Sequence, residues 1–102
     1  MSYEKHGRGM IAVNLVHNFL IQQGYQVFNE DQSQGIIDMV AINEEGDMLL
    51  IDVKALARRK DGTKINRIIR PNQKKLEDTL NTKIQLIYAD VETGEIAFNR
   101  RY

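Results

Sequence analysis

The sequence predicts a mixed α/β domain, and three observations carry that prediction. Apolar residues recur at helical spacing near the N-terminus and again after Pro71; five other segments alternate or run apolar for a strand's length; glycine and polar clusters separate them. The resulting order is α-β-β-β-α-β-β, a central mixed sheet flanked by helices. At 102 residues the chain has the size of one domain, so 1–102 is read as a single unit.

Residues 9–23 set Ala12, Val13, Leu15, Val16, Phe19 and Leu20 along one side of a helix, and Gly24 stops it. "YQVFN" (25–29) alternates as a short strand. "IIDMVAI" (36–42) and "MLLIDVKA" (48–55) form a hairpin around "NEEGD", and both are apolar on two faces, as strands covered on both sides are. The segment 56–70, "LARRKDGTKINRIIR", reads as a long, partly mobile excursion with a turn at Asp61-Gly62. Pro71 suits the first turn of a second helix, 71–81, whose buried side is expected to carry Leu76 and Leu80. "KIQLIYAD" (83–90) and "EIAFN" (95–99) are the last strands, either of them a conceivable dimer edge. Met10, Met39 and Met48 are expected in the core. Tyr3, Tyr25, Tyr88 and Tyr102 are too scattered for a base-stacking platform and are expected in the core or at its rim.

There is no cysteine, so disulfides and thiolate metal sites are excluded, and any metal must take oxygen donors or the two histidines. No apolar run is long enough for a membrane span and "MSYEKHGRG" has no apolar signal region, which makes the cytoplasm the expected compartment. Fourteen basic and fourteen acidic residues cancel. Their distribution is uneven. Glu30, Asp31, Asp38, Glu44, Glu45, Asp47 and Asp52 occur with no intervening base; Lys54, Arg58, Arg59, Lys60, Lys64, Arg67, Arg70, Lys74 and Lys75 follow, broken only by Asp61. Each run could be a solvated face. Side by side they suit a cation held against a polyanion. "HGRG", with Lys5 and Arg8, is either a further phosphate grip at a helix start or a frayed end.

Asp38, Asp52 and Lys54 stand out because they interrupt apolar strands, where an unpaired charge is costly. A hairpin closing symmetrically around Glu45 sets Ile42 opposite Met48 and Asp38 opposite Asp52, with side chains about 5 Å apart. The two-residue period puts Lys54 on the face of Asp52. A bridging divalent cation, a shared proton or a structural Asp–Lys pair would each resolve the repulsion. The chemistry such a cluster supports is metal-assisted phosphodiester hydrolysis, with the basic segment holding flanking phosphates.

Asp38, thirteen intervening residues and then Asp52-Val53-Lys54 resemble the PD-(D/E)XK nuclease motif. A helix ending in "QQGYQVF" precedes it and "RPNQKKL" opens the helix after it, so the likeness extends over nearly the whole chain. It is nearest in look to archaeal-type Holliday junction resolvases and small stand-alone phage and bacterial nucleases. The resemblance implies a restriction-endonuclease-like core. It implies that Asp38, Asp52 and the Val53 carbonyl hold Mg2+, for which Mn2+ can substitute. Lys54 would position the attacking water and Gln73 would support the site. Two positions depart from the pattern: Ile37 precedes the first aspartate where many members have proline, and Val13 stands where resolvases carry a helix-one glutamate. Asn14, His17, Glu30 and Asp31 are the nearby groups available to replace it, and Glu4 lies further upstream.

The expected activity is a magnesium-dependent DNA endonuclease selective for branched or distorted DNA, acting as a homodimer because a junction has two strands to cut. Arg58, Arg59 and Lys60 are expected to make the main backbone contacts, followed by Lys64, Arg67, Arg70 and Lys74. The alternatives are a restriction-type or exonucleolytic nuclease and a DNA-binding module of the same fold without catalysis.

Overall fold

The computed structural model describes residues 2–31, 35–99 and 101, with the side chains of residues 2–6 left aside. Tyr102 and the side chains of Tyr3, Glu4, Lys5 and His6 therefore lie outside the described residues. The elements are α1 (Ser2–Gln22), β1 (Gln26–Asn29), β2 (Met39–Ile42), β3 (Met48–Ala55), α2 (Pro71–Leu80), β4 (Ile84–Ala89) and β5 (Ile96–Phe98). The predicted order holds. The five strands form one sheet in sequence order, antiparallel except for the parallel β3–β4 pair, with α2 in the crossover between them.

Helix α1 begins seven residues before the expected start, because the helix continues through Gly7 and Gly9 despite glycine's low propensity. "HGRG" is thus helix interior, and Arg8 instead approaches Glu92 at 3.9 Å. The C-terminal stop is as expected: Gly24 has φ +91°, its N–H donates to the Ile21 carbonyl and that of Tyr25 to Leu20, a Schellman closure. Ala12, Val16 and Leu20, spaced by four, are fully buried against Met39, Ala41, Leu49, Ile51 and Val53. That pairing defines the two faces of the sheet: odd-numbered β3 residues meet α1, and Leu50, Asp52 and Lys54 point the other way.

Only β3 and β4 are enclosed on both sides. β2 is not: Ile42 stays exposed and so does its partner Met48, because α2 is too short to cover that corner of the sheet. Met10, at the outer side of α1, is also exposed, so of three expected core methionines only Met39 is buried. Tyr88 is buried and Tyr25 packs against the core. β4 pairs on both sides and cannot be an edge, which leaves β1 and β5 as the sheet edges.

Helix α2 buries polar residues instead of leucines. Leu80 is exposed and Leu76 half-buried, while Gln73 and Glu77 are the buried pair. Glu77 accepts from the Ile84 N–H at 2.7 Å and from the Arg101 guanidinium at 2.7 Å, tying the helix to the start of β4 and to the end of the chain. The segment 56–70 is no open excursion. Arg58 bridges Lys64, Arg59 N–H donates to the Thr63 carbonyl and Gly62 N–H to that of Arg59, closing a small hairpin whose turn is Asp61-Gly62.

Candidate active site

The end of β2 brings the first aspartate into position. Asp38 lies one residue before β2; its N–H donates to the Ile51 carbonyl on β3 while its own carbonyl accepts from Glu30 N–H beside β1. A regular strand residue turns both groups toward one neighbour, so Asp38 is a bulge-like kink, a device that re-aims a side chain. The re-aimed carboxylate accepts from Val53 N–H at 2.6 Å, a donor that β2 has ended too soon to pair.

Asp52 is held from two sides. Its Oδ2 accepts from Gln73 Nε2 at 2.8 Å and lies 3.3 Å from Lys54 Nζ. The Gln73 amide, with no exposed surface, also donates to the Ile36 carbonyl at 2.9 Å and accepts Arg70 N–H at 2.9 Å, so all three of its bonds point to the site or to the start of its own helix. Pro71 and the Arg70–Gln73 bond start α2 at the position that delivers Gln73 to Asp52.

Burial and the nearby Asp52 carboxylate push the Asp38 carboxyl up to about 6, with Glu30 adding to the effect and the Val53 N–H opposing it. The two aspartates therefore face one space. That space is a cleft of about 420 Å³ lined by Glu30, Gly35, Asp38, Asp52, Val53, Lys54, Arg70 and Asn72. Gly35 and Asn72 are additions to the sequence reading, while Glu30 is one of its candidate auxiliary groups. The Glu30–Asp38 backbone bond is what brings Glu30 to the cleft. A Cβ on Gly35 would overlap the Glu30 carboxylate as it stands, and the exposed side chain would have to turn aside.

Among the described residues no three Asp, Glu or His side chains gather into one metal-holding group. Two carboxylates in a polar cleft nevertheless fit a hard cation such as magnesium, which takes one or two protein carboxylates and fills its shell with water and phosphate oxygens. Val13 packs against the core, Asn14 and Asp31 are exposed, and His17 faces Asn29 at 3.3 Å; none of them lines the cleft.

Of the basic residues, Lys54 and Arg70 reach the cleft. Arg58 and Arg59 serve the hairpin, through bonds to the Gly62 and Lys64 carbonyls at 3.2 Å each, and Arg58 also lies 3.6 Å from Glu95. Lys64 stands over the Tyr88 ring, 4.6 Å from its centroid, and Lys74 pairs with Asp78 on α2. Lys60 and Arg67 are exposed. The Arg67 N–H donates to Tyr88 Oη at 2.7 Å, which holds the later half of the segment over β4.

No helix among the described residues is long and apolar enough to cross a membrane. No family model and no curated protein matches the chain. Among solved structures it is similar to the bacterial homing endonuclease I-Ssp6803I, with a TM-score of 0.64 at 19% identity, over 97% of this chain. This chain spans 65% of that protein's length, and the likeness is one of fold.

Proposed function

We propose that the protein is a magnesium-dependent DNA endonuclease that hydrolyses phosphodiester bonds. The observation that carries this reading is the convergence of Asp38, Asp52 and Lys54 on one polar cleft, with Gln73 of α2 holding Asp52 from behind. The fold likeness to a homing endonuclease supports the same class.

Asp38, Asp52 and the Val53 carbonyl would hold the ion. When bound, it lowers the pKa of water and offsets charge gathering on the phosphate. Lys54 orients the attacking water, whose oxygen bonds to phosphorus as the ester P–O bond breaks and the departing oxygen takes a proton. Gln73 keeps the Asp52 carboxylate from turning. Arg70 and Asn72 meet the flanking backbone at the cleft, and Lys60, Lys64 and Arg67 extend the basic track.

The basic segment has no helix to seat in a major groove, so selectivity is for DNA shape, and branched or distorted DNA is the preferred substrate. Cutting both strands of a junction then calls for a homodimer, since each subunit carries one such cleft. Incubation with a four-way junction, a linear duplex and single strands, in magnesium and in EDTA, tests the reading. Metal-dependent nicking that Asp52→Ala abolishes is the expected result. Binding without cleavage in magnesium or manganese would assign the chain to a non-catalytic module.

A further inference from the structure

Ile68 is 90% exposed, against 37–58% for the other exposed large hydrophobic side chains. Single apolar side chains on a surface are ordinary; what sets Ile68 apart is the degree of its exposure and its place in a basic segment. Ile68 is held out by its neighbours. On one side the Arg67 N–H is bonded to Tyr88 Oη; on the other Ile69 is half-buried and the Arg70 guanidinium donates to the Ile36 carbonyl at 3.1 Å. Pro71 follows and begins α2. The chain is thus anchored on both sides of Ile68, the apolar residue of this stretch that faces outward.

The surroundings specify the partner. Arg58, Arg59, Lys60, Lys64, Arg67 and Arg70 share this segment with a single acid, Asp61. Arg70 lines the cleft, and Tyr88, which anchors Arg67, is the β4 register partner of Lys54. An apolar wedge within a cationic strip beside the phosphodiester site suits a base step of duplex DNA: guanidinium and ammonium groups take the phosphates while the side chain enters between bases, as apolar wedges do in DNA-bending proteins. A protein partner would have to neutralise that strip with acids of its own.

We propose that Ile68 is inserted between adjacent bases next to the scissile phosphate, unstacking the step and making the protein selective for DNA that kinks or unstacks readily. This rests on the DNA-cleaving reading above and adds to it the feature of the substrate that is sensed.

The test uses the full chain and duplexes carrying 2-aminopurine at successive positions around the mapped cut, in calcium or EDTA so that the DNA stays intact. Wild-type protein should raise 2-aminopurine fluorescence severalfold at one step; Ile68→Ala should remove the rise and weaken the preference for mismatched or nicked over perfect duplex by about tenfold, with the salt slope unchanged. Ile68→Leu should restore both. Ile68→Lys separates charge from wedge: it should tighten binding to perfect duplex yet give no fluorescence rise. A melting temperature equal to wild type in each variant shows that the fold is kept. Fluorescence and preference unaltered in Ile68→Ala would overturn the proposal while leaving the nuclease reading intact; a fluorescence rise without cleavage under any metal would overturn the nuclease reading alone. Absence of DNA binding by the wild type would overturn both, and loss of self-association in Ile68→Ala with an unchanged fluorescence signal would assign the side chain to a second copy of the chain.

Discussion

Replacing Asp38 with Asn should stabilise the metal-free protein, because this carboxyl is held where its charge is unwelcome. Its pKa rises from 3.8 to about 6, chiefly through burial, and the Asp52 carboxylate adds to the rise. The folded protein thus binds this proton more tightly than the unfolded chain. Its favourable contribution is complete below pH 3.8 and is lost as pH climbs through about 6. A difference of about 2.2 at 1.36 kcal/mol each is about 3 kcal/mol, and partial exposure of the group reduces it to roughly 1–2 kcal/mol. Asparagine keeps an oxygen for the Val53 N–H and cannot ionise. In EDTA at pH 8, Asp38→Asn should melt about 5 °C above wild type, and the gap should close at pH 4. Circular dichroism melts across that range measure it, and the same variant should fail to cleave DNA in magnesium. A melting temperature below wild type at pH 8, or a gap that ignores pH, would refute the reasoning.

Gln73→Leu removes one partner each from Asp52 Oδ2 and the Ile36 carbonyl, and the acceptor of Arg70 N–H; urea titration should show a loss of about 2–4 kcal/mol, and cleavage should fall further than stability explains. Arg101→Ala leaves the Glu77 carboxylate, 1% exposed, without its cation, so unfolding in urea should come earlier by about 3 kcal/mol. Lys60→Ala and Arg67→Ala should each flatten the log–log salt dependence of DNA binding by about 1 without moving the melting temperature. The same change at Arg58 or Arg59 should also loosen the 58–64 hairpin, detectable as faster amide exchange at Gly62 and Ile65.

The order of elements and the core of β3 were legible because they follow from local pattern. Period-two alternation, an unbroken apolar run and a glycine stop each act within a few residues. Ile42 does sit opposite Met48 as hairpin symmetry requires, but the ladder ends at Met39–Ile51, and Asp38 comes to face the space of Asp52 through its kink and not through the continued register. What escaped depends on distant partners. The polar buried side of α2 follows from Asp52 and Arg101, 21 and 24 residues away from their helix partners, and no helical pattern marks Gln73 and Glu77 as interior. The exposure of Met48 and Ile42 reflects where a ten-residue helix ends. The compact hairpin at 58–64 was hidden by its own composition, because arginines that bond to carbonyls across a turn look the same in sequence as arginines waiting for phosphate.

Glu30 also lines the cleft, and local geometry brings it there. Val13 occupies a side of α1 that packs on the core, while Gln73 and Asp52 meet on the opposite face of the sheet. A carboxylate at Val13 would meet apolar side chains. Glu30 arrives by another route: β1 continues one step past its last paired strand residue, and the Glu30 N–H bonds to the carbonyl of the kinked Asp38. The bulge therefore does two things at once, turning the Asp38 carboxylate toward β3 and docking Glu30 beside the cleft. Its cost is electrostatic, since Glu30 raises the Asp38 carboxyl further, in a cleft that Asp52, Lys54 and Arg70 also line. The kink ties Asp38 and Glu30 to a single backbone irregularity, so that disturbing it displaces both together.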